Sequence, residues 1–369
     1  MRNALVKLVF LWGLLAGPLV AQPLPEACRN GPVDTALGFS PWPPDLSLAG
    51  VERAYSFIAK NGNIVAHHMD NGVPWVEALT GKRFPAHLRA DWEDRLARTP
   101  EGAQVFLALT PLDMGRTSLA PYWSNRGDNQ PLPRAWQDMA FDDPDVVAAY
   151  TNYVLRGVEF FRPDYLAIGI EANIMLAEKP DRWPAYLRLN AAVYRAVKEK
   201  YPDLPVFSTV QYEYLRGIED ESKGTAQMQI PAVRQLLENS DLLALSTYRY
   251  GILHPNPPRA NYFDVARKFG KPIAIAESGA MSREVTVNGM LLPAFASTQA
   301  DFVNMLLLNA EKLDFPFLIN WVNIDYDGTL EKLPRDVQEL AKAWVYTGLQ
   351  SYSGKPKPAL KIWRRCLGQ

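Results

Sequence analysis

The most constraining feature of this sequence is a regular alternation of short apolar runs with longer segments of helical periodicity. Eight apolar runs, each bounded by turn residues, are typical of strands buried on both faces. They cover residues 35–40, 63–67, 104–110, 164–170, 204–210, 241–246, 272–276 and 315–321. Helical patterns occupy residues 46–60, 86–98, 144–161, 183–200, 232–238, 262–269, 297–313 and 336–346. The alternation predicts an α/β protein, and eight units predict a single-domain (β/α)8 TIM barrel.

An open, doubly wound sheet is the alternative architecture for the same alternation. Sheets of that kind that bind dinucleotides carry a glycine-rich turn after the first strand. Residues 41–45, which follow the first predicted strand, contain no glycine. The barrel is therefore the favoured interpretation, and no shift in composition along the chain indicates a second domain.

Charge and aromatic content limit the classes of partner. The 369 residues carry a net charge of −1 without a long basic run, which argues against nucleic acid and against an anionic membrane surface. Ten tryptophans are a high number, and aromatic rings on a near-neutral surface suit a ligand that stacks, such as a sugar. A large core also uses tryptophan, so composition alone leaves both uses open.

The N-terminal residues have the pattern of a targeting segment. Arg2 and Lys7 precede an apolar stretch at residues 8–20, and Ala21 offers a small residue for cleavage. We therefore predict a signal peptide at residues 1–21, a barrel at residues 22–369, and a secreted or periplasmic protein without membrane contact after cleavage. An uncleaved membrane anchor is the alternative.

Two cysteines, one near each end of the predicted mature chain, are the only ones in the sequence. They are Cys28 and Cys366. Export would permit a disulfide, and a closed barrel brings its first and last elements together. A bridge and two free thiols both remain open at this point.

Two predicted strands end on a carboxylate. The run at residues 272–276 is followed by Glu277, and the run at residues 164–170 is followed by Glu171. Active sites of such barrels lie at the C-terminal ends of the strands. We therefore expect both carboxylates to lie in one cleft.

Other strand ends contribute rings and hydrogen-bonding groups to the same predicted cleft. The candidates are Trp42, His67, His68, Asn173, Gln211, Tyr212, Tyr248 and Trp321. Two carboxylates, planar rings and polar donors without an obvious cation suit cleavage of a glycosidic bond. That reaction needs one acid to protonate the leaving oxygen and one carboxylate to meet an oxocarbenium-like carbon.

These residues resemble the motifs of clan A glycoside hydrolases, whose barrels carry an acid/base Glu on strand four and a nucleophilic Glu on strand seven. Residues 275–279 (Ile-Ala-Glu-Ser-Gly) and 169–173 (Gly-Ile-Glu-Ala-Asn) most resemble family 53, the endo-β-1,4-galactanases. Tyr248 resembles the strand-six Tyr that hydrogen-bonds the nucleophile. Trp321 resembles the strand-eight Trp beneath the sugar. The specific motif similarity covers about 30 residues.

The resemblance implies a secreted, retaining glycoside hydrolase that cleaves a β-linked poly- or oligosaccharide by double displacement. Glu277 is the implied nucleophile and Glu171 the implied acid/base. The predicted substrate contacts are Tyr248 and Trp321, which the resemblance implies, together with the strand-end candidates Trp42, His67, His68, Asn173 and Tyr212. No cofactor is required, and a metal centre at His67 and His68 is disfavoured because adjacent strand residues point to opposite faces.

Two departures from the clan favour an alternative function. Ile170 stands where the clan has Asn before the acid/base Glu, and the usual Arg on strand two is not evident. A non-catalytic carbohydrate-binding barrel derived from such an enzyme is therefore the alternative. If the Asn contact to the sugar is lost, Ile170→Asn is expected to raise turnover. Trp123 and Trp136 in the loop at residues 111–143 either line the cleft or pack the loop on itself.

Overall fold

The structure is a computed structural model that describes residues 24–217, 225–248, 261–333 and 335–369. The predicted signal peptide at residues 1–21 lies outside these ranges. Among the helices in the described ranges, none combines the length and the apolar character needed to cross a membrane. The predicted barrel occupies the described part of the chain.

The predicted TIM barrel is confirmed. Parallel strands join in the order β5, β4, β3, β2, β1, β8, β7, β6 and again β5, so the sheet returns to the strand from which it started. The fifth strand is divided at Ser208 into two segments, of which one pairs with β4 and the other with β6. The strands are β1 (Ala36–Phe39), β2 (Ile64–Met69), β3 (Gln104–Leu109), β4 (Tyr165–Ala167), β5 (Val206–Phe207 and Thr209–Gln211), β6 (Leu243–Thr247), β7 (Ile273–Ser278) and β8 (Phe317–Asn320).

Helices follow the strands and cover the outside of the barrel. The α-helices are Leu48–Asn61, Trp75–Leu79, Ala86–Arg98, Pro144–Phe161, Met175–Glu178, Trp183–Lys200, Tyr212–Arg216, Thr225–Leu236, Asp264–Arg267, Ala296–Leu313, Asp327–Leu330, Arg335–Ala341 and Pro358–Cys366. The long helices agree with the sequence pattern, whereas the predicted helices at 262–269 and 336–346 are shorter than expected. Local chemistry defines the ends: before Pro144, the Asp143 side chain caps the helix by accepting from the Asp145 N–H.

The core has two layers, because successive side chains of each strand point to opposite faces of the sheet. Small and aromatic side chains such as Ala66, Phe106 and Phe317 fill the barrel interior. A larger apolar layer lies between the sheet and the helices. In β2 this alternation turns His67 toward the helices and His68 toward the barrel axis.

A hairpin that the sequence pattern did not predict follows β7. Its strands, Arg283–Val287 and Met290–Phe295, are antiparallel and joined by Asn288 and Gly289. Both turn residues have positive φ, at 49° and 79°, as a type I′ turn requires. A second short hairpin, Tyr122–Ser124 with Gly127–Gln130, lies in the long loop after β3.

The two cysteines form a disulfide between Cys28 and Cys366. The bridge joins the segment before β1 to the last helix, and the Val33 N–H donates to the Cys366 carbonyl at 3.0 Å beside it. The two residues are separated by 338 positions. A crosslink over so long a loop stabilises the fold mainly by restricting the unfolded chain.

Candidate active site

Glu277 lies at the C-terminal end of β7 and is held at both carboxylate oxygens. The Tyr248 hydroxyl donates to Oε2 at 2.7 Å, and His68 Nδ1 lies 3.2 Å from Oε1. A register shift between Ile275 and Glu277 re-aims the end of the strand. With 8% of its surface exposed, Glu277 is a nearly buried carboxylate that has two partners and keeps some access to the cleft.

His68 supplies a positive charge beside Glu277. Its other ring nitrogen, Nε2, lies 3.3 Å from Asp70 Oδ2. Burial opposes the charged form, but attraction to Glu277 and Asp70 outweighs it and raises the pKa of His68 to about 10. At neutral pH the ring is therefore an imidazolium between two carboxylates.

Glu171 follows β4 in a left-handed backbone conformation, with φ at 49°. Its N–H donates to Thr209 Oγ1 at 2.8 Å, which fixes the backbone to β5. The Ser246 hydroxyl donates to Oε1 at 2.5 Å, and Arg116 Nη2 lies 3.6 Å from Oε2. These contacts hold the Glu171 carboxyl group, which is near enough to Glu277 for the two charges to interact.

The protonation of Glu171 is biased toward the neutral acid. Burial raises its pKa, and repulsion from Glu277 raises it further. Arg116, Ser246 and His68 act in the opposite direction without cancelling the increase. Two interacting carboxyl groups thus have different environments. The pKa of Glu171 is elevated, whereas Glu277 is held by the Tyr248 hydroxyl and the His68 cation.

Arg116 is the main residue that the sequence interpretation missed. It lies in the loop after β3, is 5% exposed, and reaches both Glu171 and Asp70. The expectation of a site without a cation is wrong, because Arg116 and His68 both lie in it. No periodic pattern marks a loop residue, whereas Asp70 was detectable because it stands two positions after His68 and therefore on the same face.

Aromatic rings form one wall of the site. Trp321, directly after β8, lies 5.1 Å from the His68 ring and 5.6 Å from Trp42, measured between ring centroids. The Tyr326 ring lies 5.7 Å from Trp42, and all three rings belong to one apolar cluster. Both tryptophans are half-buried, so part of each ring remains open to a ligand.

Three predicted substrate contacts lie inside the packing of the barrel. His67 is fully buried against Phe161 and contacts Thr99 Oγ1 at 2.9 Å. Burial lowers its pKa to about 3, so the ring is neutral. Tyr212 is fully buried and donates to the Tyr262 carbonyl at 2.6 Å.

Asn173 is likewise fully buried, and its amide is used within the protein. Its Nδ2 donates to the Gln211 carbonyl and to Gln229 Oε1, both at 2.9 Å, while its Oδ1 accepts from the Gln211 N–H at 2.7 Å. In the described part of the chain, the contacts of Asn173, His67 and Tyr212 do not include either carboxylate. These three residues support the strand ends and are not carried into the proposed site.

A third buried carboxylate supports the site from the helix Tyr212–Arg216, which directly follows β5. Glu213 accepts from Thr247 Oγ1 at 2.6 Å, from the Tyr262 hydroxyl at 2.7 Å and from Gln211 Nε2 at 2.8 Å. The Tyr248 N–H lies 3.4 Å from its Oε2. This network anchors the end of β6, from which Tyr248 reaches Glu277.

The long loop at residues 111–143 packs on itself and on the helices beside it. Trp123 Nε1 donates to His87 Nδ1 at 2.7 Å, and the Trp136 ring lies 5.4 Å from Trp75. Both rings are about 5% exposed, so packing, rather than a sugar platform, accounts for them.

Within the described ranges, no group of three or more His, Cys, Asp and Glu side chains is arranged to hold a metal ion. Asp325, an acid in the loop after β8, pairs with Lys357 Nζ at 2.6 Å.

Ile170 lies in the barrel interior and has no exposed surface. The structure therefore changes the expectation for Ile170→Asn, because the new amide enters an apolar cluster that contains Phe207. We expect Asn to lower the free energy of unfolding by about 1–3 kcal/mol, the cost of an unsatisfied buried polar group. Urea denaturation measures the loss. Ile170→Val is the matched control, and a loss for Asn no larger than that for Val would contradict the prediction.

Comparisons with known proteins agree with this architecture. No protein-family profile matches the sequence, and no curated protein matches it. Solved structures do match, and those described below are glycoside hydrolase barrels. The resemblance to clan A glycoside hydrolases is thereby confirmed for the fold.

Three of the solved structures illustrate the likeness. An exo-β-1,4-mannosidase from Opitutaceae bacterium strain TAV5 is 16% identical with a TM-score of 0.60, over 89% of this chain and 58% of that one. The GH53 catalytic domain of Ignisphaera aggregans is 15% identical with a TM-score of 0.56, over 93% and 99% of the two chains. A GH5_18 protein from Streptomyces cattleya, solved with GlcNAc, is 15% identical with a TM-score of 0.62, over 91% and 80%.

The sequence identities and TM-scores of these three structures are too similar to one another to single out family 53. The chain also spans less than two thirds of the length of the mannosidase. At such low identity the likeness establishes the shared barrel, and the chemistry has to be argued from the site itself.

Proposed function

We propose that this protein is a retaining glycoside hydrolase that cleaves a β-linked poly- or oligosaccharide, with Glu277 as nucleophile and Glu171 as acid/base. One observation carries the proposal: two carboxyl groups that follow barrel strands interact with each other but differ in environment. Glu277 has a hydroxyl donor and an imidazolium, whereas burial and the charge of Glu277 raise the pKa of Glu171. Pairs of carboxyl groups separated in this way divide into an acid and a carboxylate.

In the first step the carboxylate of Glu277 attacks the anomeric carbon of the sugar. The bond from that carbon to the leaving oxygen breaks, and Glu171 transfers its proton to that oxygen. Tyr248 and His68 keep the Glu277 carboxylate in line for the attack. The product is a glycosyl ester on Glu277 and a free leaving group.

In the second step the roles of the carboxyl groups change. Once Glu277 is an uncharged ester, its repulsion no longer raises the pKa of Glu171, so the ionised form of Glu171 becomes more favourable. Glu171 then takes a proton from water, the water oxygen bonds to the anomeric carbon, and the ester bond breaks. Both carboxyl groups return to their starting states.

The open faces of Trp321 and Trp42 suit the apolar face of a pyranose ring. Names of structural neighbours support a β-linked carbohydrate, since one is an exo-β-1,4-mannosidase and a GH5_18 variant from Streptomyces cattleya was solved with Manβ1-4GlcNAc. Export to a secreted or periplasmic location is part of the proposal. The disulfide between Cys28 and Cys366 supports it, because such bonds persist in oxidising compartments.

A non-catalytic carbohydrate-binding barrel is the second candidate, and Ile170 favours it. The clan's Asn at this place contacts the sugar 2-hydroxyl in the transition state, and a buried Ile has no group to make that contact. Two contacts of Glu171 argue against this second candidate. Arg116 and Ser246 are polar groups that a catalytic site retains and that a pure binding site does not need.

A panel of β-linked polysaccharides and aryl β-glycosides tests the two candidates. We expect release of reducing ends from at least one substrate, with the β-anomer as the first product in ¹H NMR. An α-anomer as first product excludes the double displacement. Binding in calorimetry without any hydrolysis by the folded protein identifies the binding barrel instead.

A further inference from the structure

Asp70 lies between the two cations of the site and contacts both through one oxygen. Its Oδ2 is 3.3 Å from His68 Nε2 and 3.8 Å from Arg116 Nη2. The side chain is 17% exposed, so these contacts lie in a largely desolvated region where charges interact strongly. Attraction to His68 and Arg116 outweighs burial and lowers the pKa of Asp70, so it is ionised throughout the neutral range.

Arg116 likewise contacts two groups, Asp70 and Glu171, through one atom. The nitrogen that faces Asp70 is also 3.6 Å from Glu171 Oε2. A chain of opposite charges therefore runs from Glu277 through His68, Asp70 and Arg116 to Glu171. The two carboxyl groups of the proposed reaction, Glu277 and Glu171, lie at the two ends of this chain.

We propose that Asp70 is a positioning residue that divides the charge of Arg116 between itself and Glu171, and so sets the pH at which the proposed acid loses its proton. The inference rests on the proposed function for its catalytic consequence. The division of charge is a property of the folded site and is measurable without any substrate.

The direction of the effect follows from the groups that face Glu171. These groups are Glu277 from β7, His68 from β2, Ser246 from β6, and Arg116 from the loop after β3, while Thr209 of β5 holds the Glu171 backbone. Without the charge of Asp70, Glu171 is the carboxyl group that remains beside Arg116 Nη2, which favours the ionised carboxylate and lowers the pKa of Glu171. His68 still has Glu277 as a counter-ion and stays charged while Glu171 titrates.

Asp70→Asn and Arg116→Met are therefore expected to shift the proton of Glu171 in opposite directions. Asp70→Asn lowers the titration midpoint by roughly 0.5–1 pH unit, and Arg116→Met raises it by a similar amount. Arg116→Lys, which keeps a positive charge, returns the midpoint toward the wild-type value. If the role of Asp70 were purely structural, the two variants would not shift the titration midpoint of Glu171 in opposite directions.

The measurement is ¹³C NMR of protein labelled at the glutamate side-chain carboxyl carbons, with the Glu171 signal assigned by its loss in Glu171→Gln. Asp142→Asn and Arg188→Met are matched controls, because these residues form a more exposed ion pair at 2.7 Å. The controls should leave the midpoint unchanged. Circular dichroism establishes that each variant is folded. If one of the two main variants does not fold, the other still overturns the proposal when its midpoint is unchanged or moves against the expected direction.

Opposite shifts support the proposal, whereas equal midpoints in all proteins or shifts of the same sign overturn it. The basic limb of kcat/KM should follow the same shifts when a substrate is available. If the folded protein hydrolyses nothing while the NMR midpoints shift as expected, the proposed function fails and the role of Asp70 stands. If hydrolysis is present and the midpoints do not move, the role of Asp70 fails alone.

Discussion

Replacement of Glu277 by Ala is expected to lower kcat/KM on a β-linked substrate by roughly 10⁴–10⁶-fold, the range found when an enzyme nucleophile is removed. The variant keeps Glu171 and the aromatic wall but lacks the oxygen that bonds to the anomeric carbon. Steady-state hydrolysis of an activated aryl β-glycoside measures the loss. Glu284→Ala is the control, since Glu284 is an exposed acid on the hairpin that follows β7.

Azide gives the Glu277 experiment a second readout. A small anion fits the space that the carboxylate leaves and attacks the anomeric carbon from the same face, so it should restore turnover and form an α-glycosyl azide. That product has inverted configuration, because only one displacement takes place. Retention of more than a few per cent of wild-type activity without azide would contradict the assignment.

Replacement of Glu171 by Gln is expected to lower turnover by about 10²–10⁴-fold on substrates with a poor leaving group. The amide fills the same space but has no proton to give to the departing oxygen. The dinitrophenolate of a dinitrophenyl glycoside can leave without being protonated. Formation of the glycosyl enzyme from this substrate should therefore be slowed far less than formation from a substrate with a poor leaving group. Comparison of a natural oligosaccharide with this activated substrate, by pre-steady-state and steady-state kinetics, measures the difference.

The pH profile of the same variant provides a further check. In the wild type, activity should fall as pH rises through the elevated pKa of Glu171, because the ionised form cannot donate a proton. This basic limb should be absent in Glu171→Gln and present in the control Glu178→Gln, which changes an exposed acid on the next helix. An equal loss on both kinds of substrate, with the limb unchanged, would remove Glu171 from the acid role.

Local patterns were sufficient to predict the barrel, since each strand and long helix carries its own periodicity. They were less successful where a few residues adopt special backbone conformations. The hairpin after β7 depends on positive φ at Asn288 and Gly289, a signal that was present but not used. Strand β4 ends at Ala167 rather than at Ile170, because the chain leaves the sheet before Glu171 enters its left-handed conformation.

The candidate site likewise contains some residues that the sequence predicted well and others that it did not. Glu171, Glu277, Tyr248 and Trp321 were predictable because they stand at the ends of apolar runs, where a barrel collects its functional groups. His67, Asn173 and Tyr212 stand at comparable places, yet their side chains serve the packing. Sequence position defines the strand end on which a residue lies, but it does not define whether neighbouring groups use up its hydrogen bonds.

The sequence by itself determined the alternation of strands and helices, the two carboxylates at strand ends, and that His67 and His68 point to opposite faces of β2, although not which of them faces the barrel axis. These properties depend on residues close together in the chain. Only the tertiary structure decided that Arg116 reaches Glu171 and Asp70, that Cys28 meets Cys366, and that Ile170 is sealed inside the barrel. Those contacts join residues far apart in sequence, and no local preference specifies them because their geometry exists only after the sheet has closed.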